Sequence, residues 1–372
     1  MIFLSYEYEG FVENLSNQYQ KALQLTGDFL QLTRDNEWSL PEPFSFNITS
    51  ANTTTKVTVL DTGIISFEPN CATTKDIVLS SAVHGNETAP IEICSDLIQQ
   101  LILGKIVAKE RVLFLFGNPA AINIGKRFVE ENMNRLFSGA HAKKGIDGAV
   151  IENKERVRAK LLEDSVRNFY AQGEKASDNS TERARYHYDL HTAIRGSKND
   201  KFAVYPYRHE KPWKKEQLQF LKQCGITTIL LSHSPTTTFS YFSSNEFGAN
   251  AFTVELGKVK PFGENDMANF AAVKNTLVSF ITGEALTLDE YKPEDFDVFE
   301  IYQTINREGE NFSLNFADDV DNFTSFPLDY TLAFDDSKEI KVKVDGEAII
   351  FPNAEVAIGQ RALLTVIPTT IV

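Results

Sequence analysis

Asp76-Ile77-Val78-Leu79-Ser80-Ser81-Ala82-Val83-His84-Gly85-Asn86-Glu87 is the stretch that decides the fold. From Asp76 to Val83 apolar residues fall on both faces of an extended run, the pattern of a strand covered on two sides. His84-Gly85 breaks the run, and a helix is predicted from about Ala89 to Leu103. Arg111-Val112-Leu113-Phe114-Leu115-Phe116 repeats the doubly apolar pattern and stops at Gly117-Asn118-Pro119. Upstream, Lys56–Leu60 and Ile64–Phe67 flank Asp61-Thr62-Gly63 and read as a hairpin.

Downstream, Val157, Leu161, Leu162, Val166 and Phe169 recur near helical spacing, and Gly173–Arg185 is polar and reads as a loop. Further strands are predicted over Tyr186–Ala193, Phe202–Tyr207, Ile226–Leu231 and Ala251–Leu256, with a helix over Asp266–Thr282. Doubly apolar strands alternating with helices specify an α/β sheet buried on both faces. After Gly283 the apolar runs shorten to Val298–Tyr302, Phe312–Phe316, Ile340–Val344, Ala348–Phe351 and Ala362–Ile367, with a turn at Asp345-Gly346. These short strands without a long helix suggest a small all-β domain. The boundary is expected near residue 285: a catalytic domain over 1–285, opening with a helical segment over 1–45, then a β domain over 286–372.

The charge balance narrows the partners. Lys and Arg number 37 against 51 Asp and Glu, a net charge of −14. That argues against nucleic acid or an anionic membrane surface, both of which need a basic face. No apolar run approaches the roughly 18 residues of a membrane span. Met1–Glu7 lacks a basic flank and does not read as a signal peptide. Cys71, Cys94 and Cys224 are widely spaced and form no CxxC pair, so buried free thiols in a cytoplasmic, reducing setting are expected.

The chemistry begins at the end of the Asp76–Val83 strand. His84 and Glu87, three apart where a strand gives way to a helix, can reach one metal ion, and α/β sites gather at strand carboxyl ends. In Tyr186-His187-Tyr188-Asp189-Leu190-His191, period-two alternation places His187, Asp189 and His191 on one face. His191, at the carboxyl end, is the candidate third ligand, and Asp189 a carboxylate that orients an imidazole. A helical His187/His191 pair of the metalloprotease kind fails, because no Glu follows the first histidine. Phe252-Thr253-Val254-Glu255-Leu256-Gly257 is an apolar strand carrying a carboxylate near its end, so Glu255 is a candidate general base. Arg127 and Arg135 are candidate carboxylate-binding forks, set against the plainer reading of surface ion pairs.

Taken together, His84-x-x-Glu87, Arg127, Asn134-Arg135, Asp189-Leu190-His191 and Glu255 resemble, in kind and order, the zinc carboxypeptidase superfamily. Asn132-Met133-Asn134-Arg135-Leu136-Phe137, Asp189–Ser197, Phe252–Lys258, Ile350-Phe351-Pro352-Asn353 and Gly359-Gln360-Arg361-Ala362 make the chain similar to the succinylglutamate desuccinylase/aspartoacylase family over roughly residues 26–372. The first 25 or so residues have no counterpart, and Ala140–Val150 is longer than expected.

The resemblance implies a mixed, twisted sheet between helices, with a small β domain beside the active-site mouth. It implies zinc-dependent hydrolysis of N-succinylglutamate to succinate and glutamate, the last step of the succinyl route of arginine breakdown. His84, Glu87 and His191 would hold one zinc per subunit, Glu255 would be the catalytic carboxylate, and Arg127 would polarise the scissile carbonyl. Asn134 and Arg135 would hold a substrate carboxylate. A substrate with three carboxylates needs more positive charge, and Arg195, Lys198 and Lys258 are candidates on charge alone. An aspartoacylase-like amidohydrolase is the alternative within the class, and a non-catalytic zinc-binding protein the alternative outside it. A homo-oligomer is left open.

Overall fold

A computed structural model describes residues 15–145, 148–176 and 183–371. The reading of Met1–Glu7 lies outside the described residues, as do parts of the Ala140–Val150 segment and of the expected loop at Gly173–Arg185. Backbone contacts divide the chain into two compact units. The first runs to His191 and adds Thr236–Thr253 and Lys260–Thr287; the second comprises Thr192–Pro235, Val254–Val259 and Leu288–Val372.

The first unit is built on a mixed sheet. Its strands are β1 (Phe44–Ser50), β2 (Thr53–Asp61), β3 (Ile64–Pro69), β4 (Lys75–Ser81), β5 (Arg111–Phe116) and β6 (Ala184–Ala193), in the spatial order β1-β2-β3-β5-β4-β6. β1, β2, β3 and β5 pair antiparallel in sequence along the sheet, whereas β4 is parallel to both β5 and β6. Every residue of β5 is buried, as its uniformly apolar pattern requires. The 23-residue helix Lys154–Ala176 lays Ala159, Leu162, Val166, Phe169 and Tyr170 against Val78 of β4 and Leu113 and Leu115 of β5. Phe239 and Phe242, from the helix Phe239–Phe247, complete that core.

Four expectations need correction. The N-terminal segment is helical over 15–26 and Phe29–Asp35, but Phe44 opens a strand, because Phe44, Phe46 and Ile48 alternate with polar residues and pair across to β2. Gly173–Ala176 closes a helix and Ala184-Arg185 opens β6, so those two ends of the polar Gly173–Arg185 stretch are not loop. β4 ends at Ser81 rather than Val83, because Ala82 takes a left-handed φ of 58°. That conformation costs an L-residue about 1–2 kcal/mol. Hydrogen bonds from Gly117 N to Ser81 O (2.7 Å) and Asn118 N to Ala82 O (2.7 Å) hold it there. Finally, Cys94 and Cys224 are buried but Cys71 is exposed, because it lies in the turn after β3 and not on a strand.

In the second unit β7 (Phe202–Tyr205), β8 (Thr228–Leu231), β10 (Asp297–Asn306), β15 (Arg361–Thr369) and β14 (Ala348–Ile350) adjoin in that order. β9 (Asn250–Lys258) passes from the first unit into the second at Val254. β10 pairs in parallel with β8 and antiparallel with β15. A separate antiparallel trio, β11 (Phe312–Leu314), β12 (Thr331–Asp335) and β13 (Lys338–Lys341), packs Phe312, Leu332 and Ala333 with Ile349 and Leu363. β12 has no counterpart among the predicted strands. The chain is thus a mixed α/β protein with a β-rich C-terminal part. Among the described residues, no helix is long and apolar enough to cross a membrane.

Candidate metal centre

The turn after β4 delivers His84 and Glu87. Gly85 is obligatory within it: a Cβ there would lie 2.1 Å from the carbonyl carbon of Ala121, so no side chain fits where the two backbones cross. Glu87 occupies the N-cap of the helix Thr88–Ile102, yet its side chain caps no backbone N–H. It turns instead toward the imidazoles of His84 and His191, while the helix N-terminus favours its negative charge.

These three residues, expected as metal ligands, do come together. His84, Glu87 and His191 are each no more than 2% exposed, and their ligand atoms lie within 4.8 Å of one another. His84 Nδ1 is 2.8 Å from Glu87 Oε1, and His191 Nδ1 is 2.8 Å from Glu87 Oε2. The two rings meet edge to face, their centroids 5.1 Å apart.

The outward nitrogens fix the tautomers. His84 Nε2 lies 3.0 Å from Asn132 Oδ1, which also accepts from Asn134 N, so the carbonyl oxygen is the acceptor and His84 Nε2 carries the proton. His191 Nε2 lies 2.8 Å from Asp189 Oδ2 and donates in the same sense. The neutral His84 imidazole therefore presents an Nδ1 lone pair to the Glu87 carboxylate, whereas His191 Nδ1 lies within hydrogen-bond distance of Glu87 Oε2. His84 Nδ1 is buried, and no hydrogen bond satisfies it. A lone pair facing a carboxylate at 2.8 Å is repulsive unless a cation lies between. Two imidazole nitrogens and a carboxylate form the donor set of a catalytic zinc site with room for a further ligand. The residues fit a divalent metal.

The electrostatics agree. Burial pushes the His84 imidazole down to about 4, helped by the Arg127 charge, so it is neutral near pH 7. Burial also presses the His191 pKa downward, but Asp189 and Glu87 together hold it well above the ordinary range. Burial opposes ionisation of Glu87, yet His84 and His191 overcome it and keep the carboxyl well below its usual range. Glu87 thus supplies an ionised carboxylate between the two imidazoles.

Arg127 donates from Nη1 to Glu87 Oε1 at 2.7 Å, with its side chain 30% exposed. The surface-pair reading of Arg127 therefore gives way to a contact with a site carboxylate. Asn134 is buried and its Oδ1 accepts from Phe239 N at 3.2 Å, while Arg135 Nη1 donates to Asn134 O at 2.9 Å. Glu255, Arg195, Lys198 and Lys258 fall in the second unit. Glu255 is buried in β9 and Lys258 is exposed at that strand's end. Arg195 Nη2 lies 3.6 Å from Asp318 Oδ1, and Lys198 N donates to Asn322 O at 3.1 Å.

Sequence reasoning missed Asn132 as the partner of His84. Its signal was an Asn one residue before a short helical turn, the position from which a side chain accepts backbone N–H groups. It also assigned no part to Ser80, which donates to Asp189 Oδ1 at 2.6 Å. Ser80 reads as one more strand residue until β4 and β6 are known to be neighbours.

Comparison with known proteins gives the family of the chain. A family model described as "Succinylglutamate desuccinylase/Aspartoacylase catalytic domain" matches residues 73–281, and an "AstE/AspA barrel-sandwich hybrid domain" matches 294–369. The chain is 54% identical over 340 residues to a succinylglutamate desuccinylase of Idiomarina loihiensis, covering 91% of this chain and 95% of that one. It is 51% identical to one of Pseudoalteromonas atlantica, covering 94% and 96%. The crystal structure of the Vibrio parahaemolyticus enzyme of that name superposes with a TM-score of 0.79 at 35% identity, covering 91% of this chain and 94% of that one. The fold and site define a hydrolase of mixed α/β fold whose buried His84, Glu87 and His191 could hold a metal ion. The chain belongs to the succinylglutamate desuccinylase/aspartoacylase family, and the resemblance read from its motifs is borne out.

Proposed function

We propose that this chain hydrolyses N-succinyl-L-glutamate to succinate and L-glutamate, using one zinc ion held by His84, Glu87 and His191. The carrying observation is the contact of neutral His84 Nδ1 with Glu87 Oε1, two buried acceptors at 2.8 Å that a bound cation reconciles. The substrate rests on the 54% and 51% identities to enzymes named for that reaction. When bound, zinc supplies Lewis acidity, acidifying water and drawing electron density from an amide carbonyl.

The chain's own residues supply the remainder. Asp189 and Asn132 hold the two imidazole N–H groups away from the metal, so both Nδ1 lone pairs stay available. Glu255 takes the proton of the attacking water and returns it to the leaving amine nitrogen. Arg127 supports the carbonyl oxygen as charge builds on it. Asn134 and Arg135 hold one substrate carboxylate, and Arg195, Lys198 and Lys258 are proposed for the others. The ranges of the two matching family models support a division into catalytic and β domains near residue 285. Three free cysteines support a reducing, cytoplasmic setting.

The test is release of glutamate from N-succinylglutamate, with N-acetylaspartate in parallel, before and after chelation and return of zinc. Zinc-restored cleavage of the succinyl compound alone is the expected result. Cleavage of neither by zinc-loaded protein overturns the substrate.

A further inference from the structure

Behind the metal ligands lies a buried histidine to which the proposed chemistry gives no part. His187 sits on β6 with no exposed surface, one alternate position before Asp189. Its Nε2 is 2.8 Å from Ser80 Oγ, and its Nδ1 is 2.7 Å from Ser243 Oγ. Ser80 Oγ in turn donates to Asp189 Oδ1 at 2.6 Å. Ser80, His187, Asp189 and Ser243 are all 0% exposed.

The direction of every proton in this chain follows from its end. Asp189, ionised, can only accept, so the one hydroxyl hydrogen of Ser80 is committed to Oδ1. Ser80 Oγ can then only accept from His187, so His187 Nε2 carries its proton. His187 Nδ1 is left as an acceptor, filled by the hydroxyl of Ser243. On the other side, Asp189 Oδ2 accepts from His191 Nε2, which turns His191 Nδ1 toward Glu87 and the proposed metal position. From Ser243 through His187 and Ser80 every donor points the same way, ending on the carboxylate that orients a metal ligand. With all four residues buried, no bulk water reaches the chain to reverse it, and buried polar chains polarise bond by bond.

We propose that His187 is a positioning residue for the metal centre: with Ser80 and Ser243 it holds Asp189 as a fixed acceptor and so keeps His191 in the one tautomer that offers Nδ1 to the cation. This rests on the metal reading above but not on the identity of the substrate. Partners one shell out from a ligand typically change metal affinity by about 10–100-fold.

The experiment is zinc affinity by chelator competition on folded protein, together with the visible spectrum of the Co²⁺-loaded form, for the parent, Ser80→Ala, His187→Leu and His187→Gln. The expected result is zinc binding weakened about 10-fold or more in Ser80→Ala and His187→Leu, with an altered Co²⁺ spectrum. His187→Gln recovers most of the affinity, because its amide N–H can replace Nε2–H toward Ser80. Melting of the metal-free variants reports any general loss of packing, which would not by itself move affinity in the folded protein. If His187→Leu does not fold, Ser80→Ala, which removes one oxygen, carries the test. Affinity within twofold of the parent in folded Ser80→Ala overturns the proposal, as does a His187→Gln no better than His187→Leu. A parent that binds no zinc refutes the metal site itself, whereas a zinc-binding parent that leaves N-succinylglutamate intact refutes only the substrate.

Discussion

Glu155 Oε1 lies 2.6 Å from the backbone N–H of Val129, two residues beyond Arg127. The same carboxylate accepts from Glu130 N at 3.2 Å, Glu131 N at 3.3 Å and Asn118 Nδ2 at 3.0 Å. Glu155 is 1% exposed, near the start of the helix Lys154–Ala176, and it ties the segment bearing Arg127 to the helix and to the end of β5. Gly85 N also donates to Arg127 O at 3.2 Å, so that segment is joined to the turn that carries His84.

Removing the Glu155 carboxylate should therefore cost both stability and activity. Glu155→Ala strands several buried donors at once, and hydrogen bonds to a charged group contribute about 1.5–3 kcal/mol each. The expected loss is about 3 kcal/mol or more, read as a lower urea midpoint, with reduced kcat in the fraction that remains folded. A midpoint equal to the parent's would show that the loop holds itself.

Glu255→Gln separates proton transfer from metal binding. The amide keeps the size of the side chain in a buried strand and removes its basicity. Zinc content should stay at the parent's level while kcat falls about 10²–10⁴-fold. Unchanged turnover would take the general-base role from Glu255. Full loss of zinc would make it a ligand instead.

Periodicity made much of this architecture legible. Doubly apolar runs marked β4 and β5, and alternation in Tyr186–His191 put His187, Asp189 and His191 on one face of β6. His84, Glu87 and His191 were legible because a strand end followed by a helix is where side chains can converge. What escaped was pairing between distant segments. Phe44–Ser50 alternates as clearly as other strands, but its weight comes from the Phe46–Val57 register with β2. Ser80 and Asn132 meet His187, Asp189 and His84 only once β4, β6 and the Asn132 loop are in place. Serine and asparagine carry no periodic signal of their own, so no spacing rule would have selected them.

Acid sensitivity should show at Glu131. Burial alone would raise its pKa, but hydrogen bonds from Arg156 and Asn153, with the Arg156 charge, hold the carboxyl below the ordinary range. Arg156 grips it through Nε at 2.7 Å and Nη2 at 2.9 Å. A depressed folded-state pKa contributes stability above the unfolded pKa, about 4.3 for glutamate. That contribution disappears as pH falls through the lower folded value. Glu131→Gln should therefore be less stable than the parent at pH 7, with the gap closing below about pH 4. Urea midpoints of both proteins without metal across that range measure it, and a gap independent of pH would assign the loss to packing.

The contact between His84 and Glu87 also makes a prediction about folding without any substrate. In the metal-free protein a carboxylate and an imidazole lone pair are buried against each other at 2.8 Å, and His84 Nδ1 has no hydrogen bond to offset the cost. A cation bound only by the folded state removes that repulsion and stabilises by mass action, about 2.7 kcal/mol at a free concentration one hundred times its Kd. Chelation should lower the melting temperature by several degrees, and zinc should restore it in proportion to the logarithm of its free concentration. In His84→Ala the repulsion and one ligand vanish together. The metal-free variant should then melt no lower than the metal-free parent, and zinc should raise it little. A parent insensitive to chelator, or a His84→Ala protein still fully stabilised by zinc, would place the cation elsewhere.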